Sequence, residues 1–147
     1  MDKIDTKILK ILQNDAAISN SDLARQLDMA PSGVRERVKK LESAGVIEKY
    51  EVRINPKRVG LDITTFIQIE TNEKVGQNYV GGKLAEIPGV QEVHLVAGEY
   101  CYLIKSRVEN TDAHNMLMKK MGQVEGVINA RTTMVLETLK ESVDLDF

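Results

Sequence analysis

Val34, Val38 and Leu41 recur at i, i+4 and i+7 between Pro31 and Gly45, and this spacing constrains the fold more than any other feature of the chain. At ~100° per residue the three fall on one side of a helix, so that side must lie against a core. Two helical patterns precede it. Ile4, Ile8, Ile11 and Leu12 form one apolar face. Leu23, Ala24 and Leu27 form another, behind Ser19 as N-cap with Asp22 three residues on. Pro31 breaks the chain and disfavours helical geometry at Ala30. Ser32 then reads as the N-cap of the third helix and Gly45 as its C-terminal stop. Two short helices joined by a tight turn after a first helix make a helix-turn-helix.

The outward face of that third helix is basic. Four of the six residues Arg35–Lys40 are Lys or Arg, in a chain of formal net charge −2. Ser32, Glu36, Lys39 and Lys40 point away from the core, with Arg35 and Arg37 on the flanks and Gly33 in the first turn. Such a helix fits the major groove of double-stranded DNA, roughly 12 Å wide, with its N-terminal side chains toward base edges. Ser32, Arg35, Glu36, Arg37 and Lys39 are the expected groove contacts, Gly33 lies with them among the expected DNA-binding residues, and Lys40 is an expected phosphate contact. After Gly45, "VIEKYEVRI" alternates like a strand and reads as a wing, near whose end Arg53 reaches a phosphate. Residues 1–60 hold 12 Lys and Arg against 9 Asp and Glu, a net of +3, and residues 61–147 hold 8 against 13, a net of −5. Charge thus separates a nucleic-acid-facing part from an acidic remainder.

From Asp62 onward the period switches repeatedly. "DITTFIQIET" reads as a buried strand, and Val75, Tyr79, Val80, Leu84 and Ile87 follow at helical spacing. "VQEVHLVA" and "YCYLIKSRV" form a hairpin across Gly98-Glu99. A helix capped by Thr111 buries Ala113, Met116, Leu117 and Met121, and "VINARTTMVLETL" closes as a strand. The order βαββαβ is the ferredoxin-like split unit. The expected fold class is therefore α+β: a winged helix-turn-helix over residues 1–54, a hinge over 55–61 and a ferredoxin-like domain over 62–147. That sheet carries its helices on one face. Its strands read as apolar on both, so the open face is expected to pack on a second copy as a homodimer. Two recognition helices one DNA turn apart would then read a pseudo-palindrome.

Several classes are disfavoured. No apolar run reaches the ~20 residues of a membrane span, and the N-terminus has no signal-peptide core. The expected location is cytoplasmic. Cys101 has no partner for an internal disulfide. His94, His114 and Cys101 lack the local spacing of a zinc site, so no metal is expected. No phosphate-binding glycine loop and no convergent catalytic set is visible, and the chain does not read as an enzyme.

Over nearly its whole length the chain resembles the Lrp/AsnC (feast/famine) family of transcription regulators. The resemblance is carried by "IDTKILKILQNDAAISNSDLARQLDMAPSGVRERVKKLESAGVIEKYEVRINPKRVG", by "VQEVHLVAGEYCYLIKSRV" and by "GVINARTTMVLETLK". It implies a nucleoid-associated prokaryotic DNA-binding regulator built from dimers, often as an octamer. Its C-terminal part would be the family's RAM-type domain, which binds an amino-acid effector between subunits. Carried onto this sequence, the effector site comprises Gly98, Glu99, Tyr100 and Cys101, with Arg131 and Thr132. Two positions depart from the family pattern. Ala17 replaces an arginine, and Cys101 stands where the family has an acidic residue, so no carboxylate pairs there with an α-amino group. The rival reading is an architectural protein that wraps DNA without an effector; both readings share the basic helix and the oligomer.

Overall fold

Asp2 starts the first helix. In the computed structural model, which describes residues 1–147, its carboxylate accepts from the amides of Ile4 and Asp5, and Asp5 accepts from the Asp2 amide in return. This capping box satisfies N–H groups that an α-helix leaves unpaired at its start. The helix, α1, runs Lys3–Asn14. Ser19 caps α2 (Asn20–Leu27), as its sequence predicts, and Asp28 ends it in the left-handed region at φ 52°. The third helix, α3, spans Pro31–Ser43. Its N-cap is Ala30 rather than Ser32, with no side-chain cap; Pro31 occupies the first helical position, where its fixed φ suits the turn and its missing N–H costs nothing. Ile8, Leu23, Ala24 and Val34 are buried to within 1% and, with Leu9 and Leu41, form the core of these helices. Fully burying each such Ile, Leu or Val contributes about 1.5–3 kcal/mol.

Residues 46–54 do not form the expected strand. They carry no ladder hydrogen bonds, and Tyr50, Val52 and Ile54 are exposed. Alternation sets which side chains share a face, but a strand also needs a hydrogen-bonded partner, and no strand of this chain pairs with these residues.

The chain divides into two units, Met1–Arg53 with Glu141–Phe147, and Ile54–Lys140. The second starts with a single 3-10 turn, Pro56–Val59, followed by β1 (Ile63–Thr71), α4 (Tyr79–Ala85), β2 (Val90–Leu95), β3 (Tyr102–Val108), α5 (Thr111–Gly122) and β4 (Val127–Met134). The βαββαβ order is as expected. The sheet is antiparallel with spatial order β2-β3-β1-β4. Ile67, Ile69, Tyr102 and Ile104 on one face pack with Val80 and Leu84 of α4 and Leu117 and Met121 of α5. Within that layer Thr65 and Ser106, paired across the strands, satisfy one another at 2.7 Å.

Four details differ from the sequence reading. The pattern from Val75 shrinks to a seven-residue α4, leaving Val75 fully exposed. Asn110, not Thr111, caps α5 by accepting from Ala113, and Met116 is 60% exposed. A bulge between Val90 and Glu92 puts Val90 and Val93 on the same, helix-covered side. The open face is consequently mixed, not apolar: Phe66 and Leu103 lie among Gln68, Glu70, Glu92, His94 and Lys105, and Glu92 pairs with Lys105 at 3.2 Å. The fourth is the tail, residues 141–147, which sequence places in the second domain and the fold places with the first. No helix is long and apolar enough to cross a membrane.

Candidate DNA interface and effector site

With Val34 facing the core, the 100° turn per residue puts Ser32, Glu36 and Lys39 opposite it, Arg35 on one flank, and Gly33 and Lys40 on the other. Ser32, Arg35, Glu36, Lys39 and Lys40 are exposed accordingly. Arg35 and Lys39 have no ion-pair or hydrogen-bond partner, so nothing in the chain competes for their charge. Lys40 is already paired with Glu36 at 2.8 Å, and this Lys40 contact holds the Glu36 carboxyl below its usual range. The pair is exposed on both sides, and such i, i+4 pairs are weak enough for a phosphate to displace.

Arg37 does something else. It sits only about 60° from Val34 around the helix, half-buried, and donates Nη1 to Asp2 at 2.7 Å and to Asp5 at 2.8 Å. Its guanidinium, expected in the groove, instead ties α3 to the capping box that starts α1. The backbone N–H of Asp5, reinforced by Arg37, holds the Asp2 carboxyl below its ordinary 3.8, and the two acids raise Arg37 in turn. Arg53 is likewise engaged, 3.3 Å from Glu141. Asp2 and Asp5 were not among the residues expected at this site, although their Asp-x-x-Asp spacing before an apolar run marks a helix start.

In the second unit the turn between β2 and β3 is closed by Val96 N–H donating to Cys101 O at 2.7 Å, and Gly98 takes φ 131°, a region that disfavours side chains. Glu99 is exposed at its tip. Tyr100 is held down on β4: Arg131 stacks over its ring at 4.7 Å and Asn129 donates to its hydroxyl at 3.2 Å. Cys101 turns the other way, half-buried against the core, 3.4 Å from Thr71 Oγ1. The expected set therefore separates onto two sides of the sheet. Arg131 lies beside Tyr100, whereas Thr132, its neighbour on an alternating strand, faces α5 and donates to the Met118 sulfur at 3.6 Å.

One more fixture lies beneath this turn. Tyr102 is buried, donates its hydroxyl to Glu73 at 2.7 Å, and is raised to about 12 by its burial and by that carboxylate. The other Glu73 oxygen accepts from the Val80 amide at 2.9 Å. The pair joins β3 to the start of α4.

Residues 1–48 match the winged helix-turn-helix DNA-binding family, and residues 64–145 match the Lrp/AsnC ligand binding domain. The chain is 34% identical over 146 residues to the HTH-type transcriptional regulator FL11 of Pyrococcus furiosus, covering 99% of this chain and 95% of that one. It is 35% identical over 148 residues to the leucine-responsive regulatory protein of Escherichia coli, covering 97% and 88%. Among solved structures it is similar to a transcriptional regulator of Neisseria meningitidis in complex with L-methionine, with TM-score 0.92, 26% identity and coverage of 99% and 96%. It is similar also to a feast or famine regulatory protein of Mycobacterium tuberculosis complexed with L-methionine, with TM-score 0.90, 30% identity and coverage of 98% and 97%.

Proposed function

Because this chain belongs to the Lrp/AsnC family of transcription regulators, we propose that it reads operator DNA through α3 as a homodimer or higher oligomer. The observation that carries this reading is the contrast along α3. Arg35 and Lys39 are exposed and unpartnered, while the other three expected cations, Arg37, Lys40 and Arg53, already hold carboxylates of the chain. Arg35 is the base-reading residue, since a guanidinium bidentate to guanine discriminates by about 1–3 kcal/mol. Lys39 and Lys40 are phosphate or edge contacts, and Ser32 and Gly33 let the first turn approach the backbone. Arg37 positions the helix without touching DNA.

The second unit responds to an amino acid bound at the Gly98 turn. Cys101 faces the core and is no carboxylate, so the exposed Glu99 takes the α-amino group, with Arg131 and Tyr100 beside it. Binding shifts how dimers associate and thereby the spacing of the recognition helices. The open sheet face, with Phe66 and Leu103 among charges, is the dimer contact.

The experiment is a salt titration of binding to the gene's own upstream DNA and to a shuffled duplex, with and without the twenty amino acids. Preference for the upstream DNA that changes with one amino acid is the expected result. Equal binding to both duplexes, weakened steeply by salt, overturns it in favour of an architectural DNA-wrapping protein.

A further inference from the structure

The last seven residues, Glu141–Phe147, follow β4 in sequence yet pack with Met1–Arg53. Three different contacts hold them there. Gln13, in the last turn of α1, uses both ends of its amide on one residue of the tail: Nε2 donates to Leu145 O at 3.1 Å and Oε1 accepts from Leu145 N at 2.7 Å. A side-chain amide offers one donor and one acceptor, like a peptide group, so Gln13 serves as a one-residue strand partner. Lys10, three residues earlier, lies 5.9 Å from the centre of the Phe147 ring. At the other end Arg53 pairs with Glu141. Between these points Ser142 and Asp144 bond to each other, which shapes the tail locally. Leu145 and Phe147 wall a cavity of about 550 Å³ together with Leu9, Leu12, Ile47 and Tyr50. The chemistry is complementary: Glu141, Asp144 and Asp146 are acidic, while Lys10 and Arg53 are basic, and Val143, Leu145 and Phe147 alternate with the charges.

We propose that residues 141–147 are a strap docked on the DNA-binding unit of the same chain, joining it to the second unit by a second covalent link besides the one at Arg53–Ile54. The contacts described lie on α1 and at Arg53, and Ser32, Arg35, Glu36, Lys39 and Lys40 on the outward face of the recognition helix stay exposed. It ends on α1, and α1 holds α3 through Asp2, Asp5 and Arg37. Movement of β4 thus reaches the recognition helix through residues 135–140. This last step, and only this step, rests on the proposed DNA function.

A cross-linking experiment on the full chain tests the docking. In a Cys101→Ser background, Gln13→Cys and Leu145→Cys are combined and treated with a short bis-maleimide; each single variant reports linkage between chains. Linkage within one chain is the expected result. Linkage only between two chains overturns the proposal, since the strap is then exchanged between subunits, and absence of linkage overturns it outright. Amide exchange supplies a second reading that needs no new thiols. In Gln13→Ala, and in a chain ending at Lys140, exchange at residues 9–14 is expected to accelerate at least roughly tenfold; an unchanged rate overturns docking. DNA binding is scored separately. A chain that cross-links internally but binds no DNA retains the strap and disproves the DNA reading.

Discussion

Arg35 and Arg37 are two residues apart, of one type and on one helix, yet one is free and the other is committed to Asp2 and Asp5. Arg35→Ala is expected to leave the melting temperature unchanged and to lower operator preference by about 1–3 kcal/mol, measured as the affinity ratio of operator to random duplex. Arg37→Ala is expected to lower the melting temperature and to weaken both duplexes alike, leaving the ratio intact. A changed ratio in Arg37→Ala would return that residue to the groove. The same cluster sets a pH dependence. The Asp2 carboxyl lies below 3.8 in the folded chain, chiefly because it accepts from the Asp5 amide. Its folded value is below its unfolded one, so its contribution is complete above the unfolded value and lost as pH falls through the folded one. Asp2→Asn should therefore lower stability at neutral pH and flatten the loss below pH ~4, read from urea midpoints across that range.

Among the elements, α4 shows how a helix of poor propensity is kept. Its seven residues include Gly81 and Gly82, each about 1 kcal/mol worse than alanine in a helix interior. Gly81 is there because of Tyr102: a Cβ on it would run into the ring edge, with Cζ at 2.9 Å and Cδ1 at 3.1 Å. Gly81→Ala should accordingly destabilise the second unit by about 1–3 kcal/mol despite better propensity, as overpacking does. Tyr102→Phe keeps the ring and leaves one half-buried Glu73 oxygen without its donor, a loss of about 1 kcal/mol. Denaturant midpoints distinguish the two, because only Tyr102→Leu, which removes the ring, makes room for alanine at 81. The helical period at Val75–Ile87 was legible from the sequence; that only Tyr79–Ala85 would be helix was not, because the Tyr102 ring that demands Gly81 comes from a later strand.

At the scale of the whole molecule, the proposed dimer rests on the open face of the sheet, where Phe66 and Leu103 lie among charged residues. Phe66→Asp combined with Leu103→Asp should reduce the sedimentation mass to that of a monomer and lower operator affinity with it; an unchanged mass would place the contact elsewhere. The mixed character of this face shows where period-two reading stops. Strict alternation would put Val90 and Val93 on opposite faces, and one bulged residue after Val90 puts them on the same one.

The sequence by itself determined what depends on near neighbours along the chain. The spacing of Val34, Val38 and Leu41 settled a core-facing α3, though not its N-cap, which is Ala30 rather than Ser32, and the βαββαβ order followed from changes in period. Each rests on residues within about two turns of one another, where geometry is fixed by backbone sterics and the helical or pleated repeat. Tertiary structure alone decided what depends on residues far apart. Asp2 reaches Arg37 across 35 positions and Leu145 reaches Gln13 across 132. No local period encodes such pairs; they exist only once packing has brought the chain's distant segments within hydrogen-bonding distance.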